Sequence, residues 1–99
     1  MPAYMIIEIT VHDSATYAEY MRQIPATVAK YGGRYLVRGR AIALSGDWTP
    51  ERIVILEFPS LPRMAEWNAS PDYQALAPLR VRSTTTRAIA LEGYEGDPS

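Results

Sequence analysis

The chain of 99 residues contains no cysteine, a single histidine (His12) and a single lysine (Lys30). Without thiols it has no disulfide framework, no thiolate metal site and no cysteine nucleophile, and one histidine cannot form a histidine cluster. Ten basic against eleven acidic residues leave a net charge of -1 with no Lys/Arg run. The electrostatic footprint of a nucleic-acid binder is therefore missing, and no nucleic-acid partner is expected. No stretch approaches 18 apolar residues, and Met1-Pro2-Ala3-Tyr4 lacks the basic start and apolar block of a secretion signal. The expectation is a cytoplasmic protein with no membrane partner. The glycine-serine elbow of hydrolases is absent, and Gly32-Gly33 ends a helix where a phosphate cradle would open one. Glu8, Asp47, Glu57 and His12 do not make an adequate ligand set, so neither metal nor cofactor is expected.

What the chain does have is 47% hydrophobic residues against 21% charged. That supplies one core, and the length suits one domain, expected over residues 1–93 with a loose tail at 94–99. Met5, Ile7, Ile9 and Val11 alternate along Tyr4 to Val11, predicting a first strand. Asp13 or Ser14 then caps a helix over about residues 14–31, stopped by Gly32-Gly33 and kinked or broken near Gln23-Ile24 by Pro25. Arg34 to Arg38 and Ala41 to Leu44 alternate on either side of Gly39-Arg40, predicting a bulged or two-piece second strand. Arg52 to Phe58 reads as the strongest strand, with Pro59-Ser60 ending it. A second helix starts near Leu61 and breaks at Ser70-Pro71, which serve as a fresh cap and first-turn proline. Thr84 to Glu92 closes as strand four.

This order is βαββαβ, an α+β class. With right-handed crossovers it gives a ferredoxin-like, four-stranded antiparallel sheet whose helices cover one face. The other face is informative. Parity places Ile6, Leu36, Ile53 and Ile55 there, a larger apolar patch than monomers usually expose. Two readings cover it: a homodimer packed sheet to sheet into an α/β barrel, or a monomer whose C-terminal strand or tail folds across the sheet. The same parity puts Glu8, Glu57, Arg34 and Arg38 on that face. Buried together they would form either an acid/base or anion-binding constellation, or an interface ion-pair network. Tyr17, Tyr20, Tyr31, Trp67 and Tyr73 offer aromatic walls for a small-molecule pocket, though aromatics at helical spacing also build plain core. Trp48 could cover a pocket mouth or grip a partner subunit. His12 beside Asp13 reads as a capping or exposed residue.

Met1 to Tyr4, Glu8, Asp13 to Tyr20, Pro25-Ala26-Thr27, Tyr31 to Gly39, Gly46-Asp47-Trp48, Leu56 to Ser60, and Trp67 followed by Ser70 to Leu76 form a recognisable succession. Together these segments resemble the small bacterial family known as domain of unknown function 1330. The likeness spans about residues 2–93. It implies a ferredoxin-like fold in the dimeric α/β barrel superfamily, whose members include cofactor-free monooxygenases, heme-linked enzymes and lactone isomerases. It implies no particular activity. Two positions depart from the family's pattern: Arg38-Gly39-Arg40 replaces Arg-Gly-Gly, and Trp67-Asn68 replaces Trp-Tyr, removing an aromatic wall.

Two functions follow as expectations. In the first, the dimer binds or transforms a small organic molecule between sheet and helices, with Glu8, Arg38 and Glu57 as polar anchors and Tyr17, Tyr20, Arg34, Trp48 and Trp67 as ligand contacts. In the second, the protein is a non-catalytic dimer module whose charges are structural. Whether it is an enzyme stays open at this level.

Overall fold

The computed structural model describes residues 1–94. The expected tail, Tyr94 apart, lies outside the described residues. The chain forms β1 (Ala3–Val11), α1 (Ser14–Lys30), β2 (Arg34–Gly39), β3 (Arg52–Phe58), α2 (Leu61–Ala69), α3 (Pro71–Ser83) and β4 (Thr84–Glu92). The sheet is antiparallel in the order β2-β3-β1-β4, so the first and third strands are central and the fold is ferredoxin-like.

Local chemistry sets most boundaries. The Asp13 carboxylate accepts from the Thr16 backbone N–H and hydroxyl, satisfying an orphan donor at the start of α1. Gly32 ends that helix at φ 80, where a side chain would be strained. Its N–H and that of Gly33 donate back to the carbonyls of Ala29 and Val28. Ser70 caps α3 with proline in the first turn, as the sequence predicts, and Ser60, read from the sequence only as the end of β3, caps α2 in the same way.

One face of the sheet carries the core. Val54, Leu56 and Phe58 of β3, with Ala3 and Ile9 of β1, are buried against Tyr17, Tyr20, Ile24 and Val28 of α1 and Met64, Trp67 and Tyr73 of α2 and α3. Trp67 sits between Phe58 and Tyr73, with ring centroids at 5.3 and 4.3 Å. The remaining odd residues of β1, Met5, Ile7 and Val11, pack against this cluster. The strand parity read from the sequence holds for β1 and β3.

Three expectations need correction. First, α1 is not broken near Gln23-Ile24: it runs from Ser14 to Lys30 with Pro25 inside it. Pro25 removes the donor for the Met21 carbonyl, but Tyr17, Tyr20, Ile24 and Val28 are buried on one stripe that anchors both sides of the gap. Second, β2 ends at Gly39, and Ala41 to Leu44 form no strand. Gly39 pairs with Ile53 near the start of β3, so an apolar alternation beyond it has no backbone partner, and Ile42 and Leu44 are exposed. Third, the bulge lies earlier than expected, between Tyr35 and Val37. Arg34 faces Glu57 on the open side, but beyond the extra residue Leu36 it is Val37 that pairs with Ile55, while Arg38 pairs with Val54. Val37 therefore takes the place expected for Leu36, and Arg38 is turned to the helix side.

Candidate functional site

Between the layers lies a cavity of about 190 Å³. Its floor is Met5, Ile7 and Ile9 of β1, Tyr35 of β2 and Val54 and Leu56 of β3, with Thr86 and Ala88 of β4. Its roof is Tyr20, Met21 and Ile24 of α1, Trp67 and Asn68 of α2, and Tyr73 and Arg80 of α3. Thr86 and Ala88, both small, form its β4 side, and Ala88 is exposed.

The polar lining consists of phenols and one cation. Arg80 Nε donates to the Tyr73 hydroxyl at 3.2 Å, and no carboxylate among the described residues pairs with Arg80. Burial, and next to it the neighbouring Tyr73 hydroxyl, pushes the Tyr20 hydroxyl well above the usual phenol range. Burial likewise pushes Tyr35 up to about 12, against the opposing charge of Arg38. With their pKa values raised, both groups stay protonated and can donate a hydrogen bond. Trp67 Nε1 donates to Thr27 Oγ1 at 3.0 Å, which fixes the indole and leaves its face as wall. The lining contains no carboxylate and no imidazole. Apolar walls with phenol and guanidinium donors are groups that can hold an apolar body and donate to an electron-rich oxygen.

The open face of the sheet carries the two acids, apart from each other. Glu8 Oε2 accepts from Trp48 Nε1 at 2.7 Å, and Glu8 Oε1 from Arg87 Nε at 2.6 Å. Those bonds, the indole's first and the arginine's second, hold the Glu8 carboxyl below its usual range. Glu57 Oε1 accepts from Arg34 Nε at 2.8 Å. Glu57 sits opposite Tyr4, whereas Glu8 sits opposite Ile53, so along β1 the acids are four residues apart. At a strand rise of roughly 3.3 Å per residue that is about 13 Å, too far to share a proton. Between them Ile6, Val37, Ile55 and Ile89 line up in register. The expected unit of Glu8, Glu57 and Arg38 is thus not assembled: the bulge removes Arg38, and each acid has its own partner.

Of the anticipated ligand contacts, Tyr20 and Trp67 line the cavity. Tyr17 stacks on Tyr20 with centroids at 6.2 Å and lines a neighbouring pocket with Arg38. Trp48 and Arg34 belong to the open face. His12 Nε2 lies 2.6 Å from Thr85 Oγ1, exposed and away from the cavity. Sequence reasoning missed Tyr35 and Arg80, while Asn68, noted there as standing in place of an aromatic wall, is part of the lining. For Arg80 a signal was present, since Tyr73 and Arg80 are seven residues apart and so share a face of α3.

This is a ferredoxin-like α+β domain of the kind found in dimeric α/β barrel proteins, with a cavity between its layers. A family model described as domain of unknown function (DUF1330) matches residues 2–94, and the chain belongs to that family. No curated protein matches it in sequence. Solved structures share the fold. A protein of unknown function from Rhodopseudomonas palustris is 21% identical with a TM-score of 0.80, covering 95% of this chain and 83% of that one. A dimeric ferredoxin-like protein of unknown function from Jannaschia sp. CCS1 is 13% identical with a TM-score of 0.73, covering 94% and 100%. SnoaB, a cofactor-independent oxygenase from Streptomyces nogalater, is 14% identical with a TM-score of 0.70, covering 99% and 98%. Among the described residues no helix is long and apolar enough to cross a membrane.

Proposed function

We propose that this protein is a homodimer that binds, and on binding can expose to reaction, a small organic molecule held between its sheet and helices. The observation that carries the reading is the cavity itself. Engineered apolar cavities of roughly 150 Å³ hold benzene, so a space of about 190 Å³ accommodates one aromatic ring with a short polar substituent. In this reading Tyr20 and Trp67, which line the cavity, are its walls, and Tyr73, Tyr35 and Arg80 supply polar contacts. Glu8 and Glu57 serve the sheet face, because each is matched by partners within its own chain. The oxygenase described above shares the fold at low identity, which supports a pocket at this place without assigning a reaction. A chain with no cysteine also suits the reducing cytoplasm.

The dimer reading rests on the open face, where Val37, Ile89 and Leu91 remain 43%, 58% and 45% exposed beside Ile6, Ile53 and Ile55. Of the competing cover, the strand half is weakened, since β4 pairs edge to edge with β1 and does not cross the sheet, while the tail half lies outside the described residues.

The cavity reading is tested with a neutral aromatic probe. In a Trp48→Phe background Trp67 is the sole tryptophan, and benzyl alcohol is expected to change its fluorescence saturably. Ala88→Phe, at an exposed position on the cavity lining, should abolish that change while leaving the melting temperature near wild type. Equal quenching in both proteins would refute the site.

A further inference from the structure

At the β2–β3 end of the helix side is a second hollow of about 260 Å³, lined by Tyr17, Arg38, Gly39, Arg40, Arg52 and Val54. Half of its lining is arginine and none of it is acidic. In a chain of net charge -1, three like charges converge on one concavity. Such a gathering is unfavourable unless a counter-charge answers it.

Four arginines elsewhere are answered within the chain, while Arg80 and Arg82, outside this hollow, also pair with no carboxylate among the described residues. Arg22, Arg34, Arg63 and Arg87 each pair with a carboxylate, whereas among the described residues Arg38, Arg40 and Arg52 pair with none. Two of the three are positioned by aromatic rings instead. The Arg38 guanidinium lies 5.3 Å from the Tyr35 centroid and that of Arg52 lies 5.3 Å from the Tyr17 centroid. A guanidinium stacked on a ring keeps its N–H edge free for an incoming acceptor. Gly39, between Arg38 and Arg40, leaves the space open, since a Cβ there would meet nothing within 4 Å. The bulge at Leu36 creates the cluster: it turns Arg38 to the helix side, where Arg52, in register with Ile9, already faces.

We propose that Arg38, Arg40 and Arg52 form a binding site for a phosphoryl group, free or borne by a small molecule. Three guanidinium forks present more donors and charge than a carboxylate's two oxygens and single charge can use. A tetrahedral phosphoryl group, with three oxygens and close to two charges, matches them. The site is a single hollow without a basic stripe leading from it, so a nucleic-acid backbone is a poor fit. It stands apart from the cavity reading, although the two spaces share Val54 and the Tyr35 ring that carries Arg38 also lines the cavity.

The test is calorimetric titration of the whole chain at low ionic strength with inorganic phosphate and, separately, phenyl phosphate. Saturable binding of one anion per chain is expected. Arg40→Gln should weaken it at least tenfold, and because Arg40 is exposed in the loop after β2 this variant keeps the fold. Arg22→Gln, an equal change of charge on the outer side of α1, should leave affinity within twofold. Tighter binding of phenyl phosphate than of phosphate would assign the anion to an organic ligand, and equal affinities to free phosphate. Absence of saturable binding by either anion, or equal weakening by Arg22→Gln and Arg40→Gln, would overturn the site. Neither result touches the cavity, whose test uses an uncharged probe.

Discussion

At the scale of single residues, two positions show how closely the fold is constrained. Gly33 lies where a Cβ would stand 2.7 Å from the Phe58 ring and 2.8 Å from a Val28 methyl. Neither neighbour can retreat, because Phe58 and Val28 are both almost wholly buried. Gly33→Ala should therefore cost about 1 to 3 kcal/mol through overpacking, measured by urea denaturation. Glu8 illustrates charge. Its folded-state pKa is depressed by Trp48 first and Arg87 second, so its contribution to stability is present above the unfolded carboxylate pKa of about 4.3 and is lost as pH falls through the lower folded value. The melting temperatures of wild type and Glu8→Gln should accordingly differ most near neutrality and converge in acid. A gap that widened below pH 4 would contradict this assignment. Since Arg38 lies on the opposite face, a double-mutant cycle between positions 8 and 38 should be additive within error, whereas positions 8 and 87 should show coupling.

Among the elements, α1 and β2 departed from what local rules suggested. Proline inside a helix costs about 3 kcal/mol, yet α1 continues through Pro25 because the sheet holds its buried stripe on both sides. Pro25→Ala restores a donor to the Met21 carbonyl and is expected to stabilise the protein by about 1 kcal/mol or more, part of the gain being offset by the greater freedom of the unfolded chain. A loss of stability in urea would mean that the proline's own shape is used in the packing. In β2 the one-residue bulge decides which arginine joins which face: Arg34 reaches Glu57, and Arg38 joins Arg52 beside the aromatic layer.

The whole molecule is a slab with extents of 45 × 36 × 16 Å, since one layer of helices covers one face of one sheet. Its apolar open face makes a two-fold partner the natural cover. Light scattering at micromolar concentration should give about 22 kDa, twice the chain mass of 11.1 kDa. Ile55→Asp, in the middle of that face, would place an unpaired charge in the interface and should shift the mass toward that of one chain. A wild-type mass near 11 kDa would end the dimer proposal.

The amino-acid order by itself determined the elements and the inner face of the central strands. Period-two alternation in Tyr4 to Val11 and Arg52 to Phe58, a cap at Asp13 or Ser14, the cap at Ser70, and the stop at Gly32-Gly33 are all local signals, and their physical causes act within a few residues of chain. What only the tertiary structure decided was which side chains meet. Alternation at Ala41 to Leu44 could not make a strand without a partner ladder, and Pro25 did not break a helix that the sheet held in place. The register shift at Leu36 separated Arg38 from Glu8 and Glu57 and brought it to Arg40 and Arg52. A bulge is fixed by the pairing between two strands, so the composition of one strand carries no sign of where its parity will reverse.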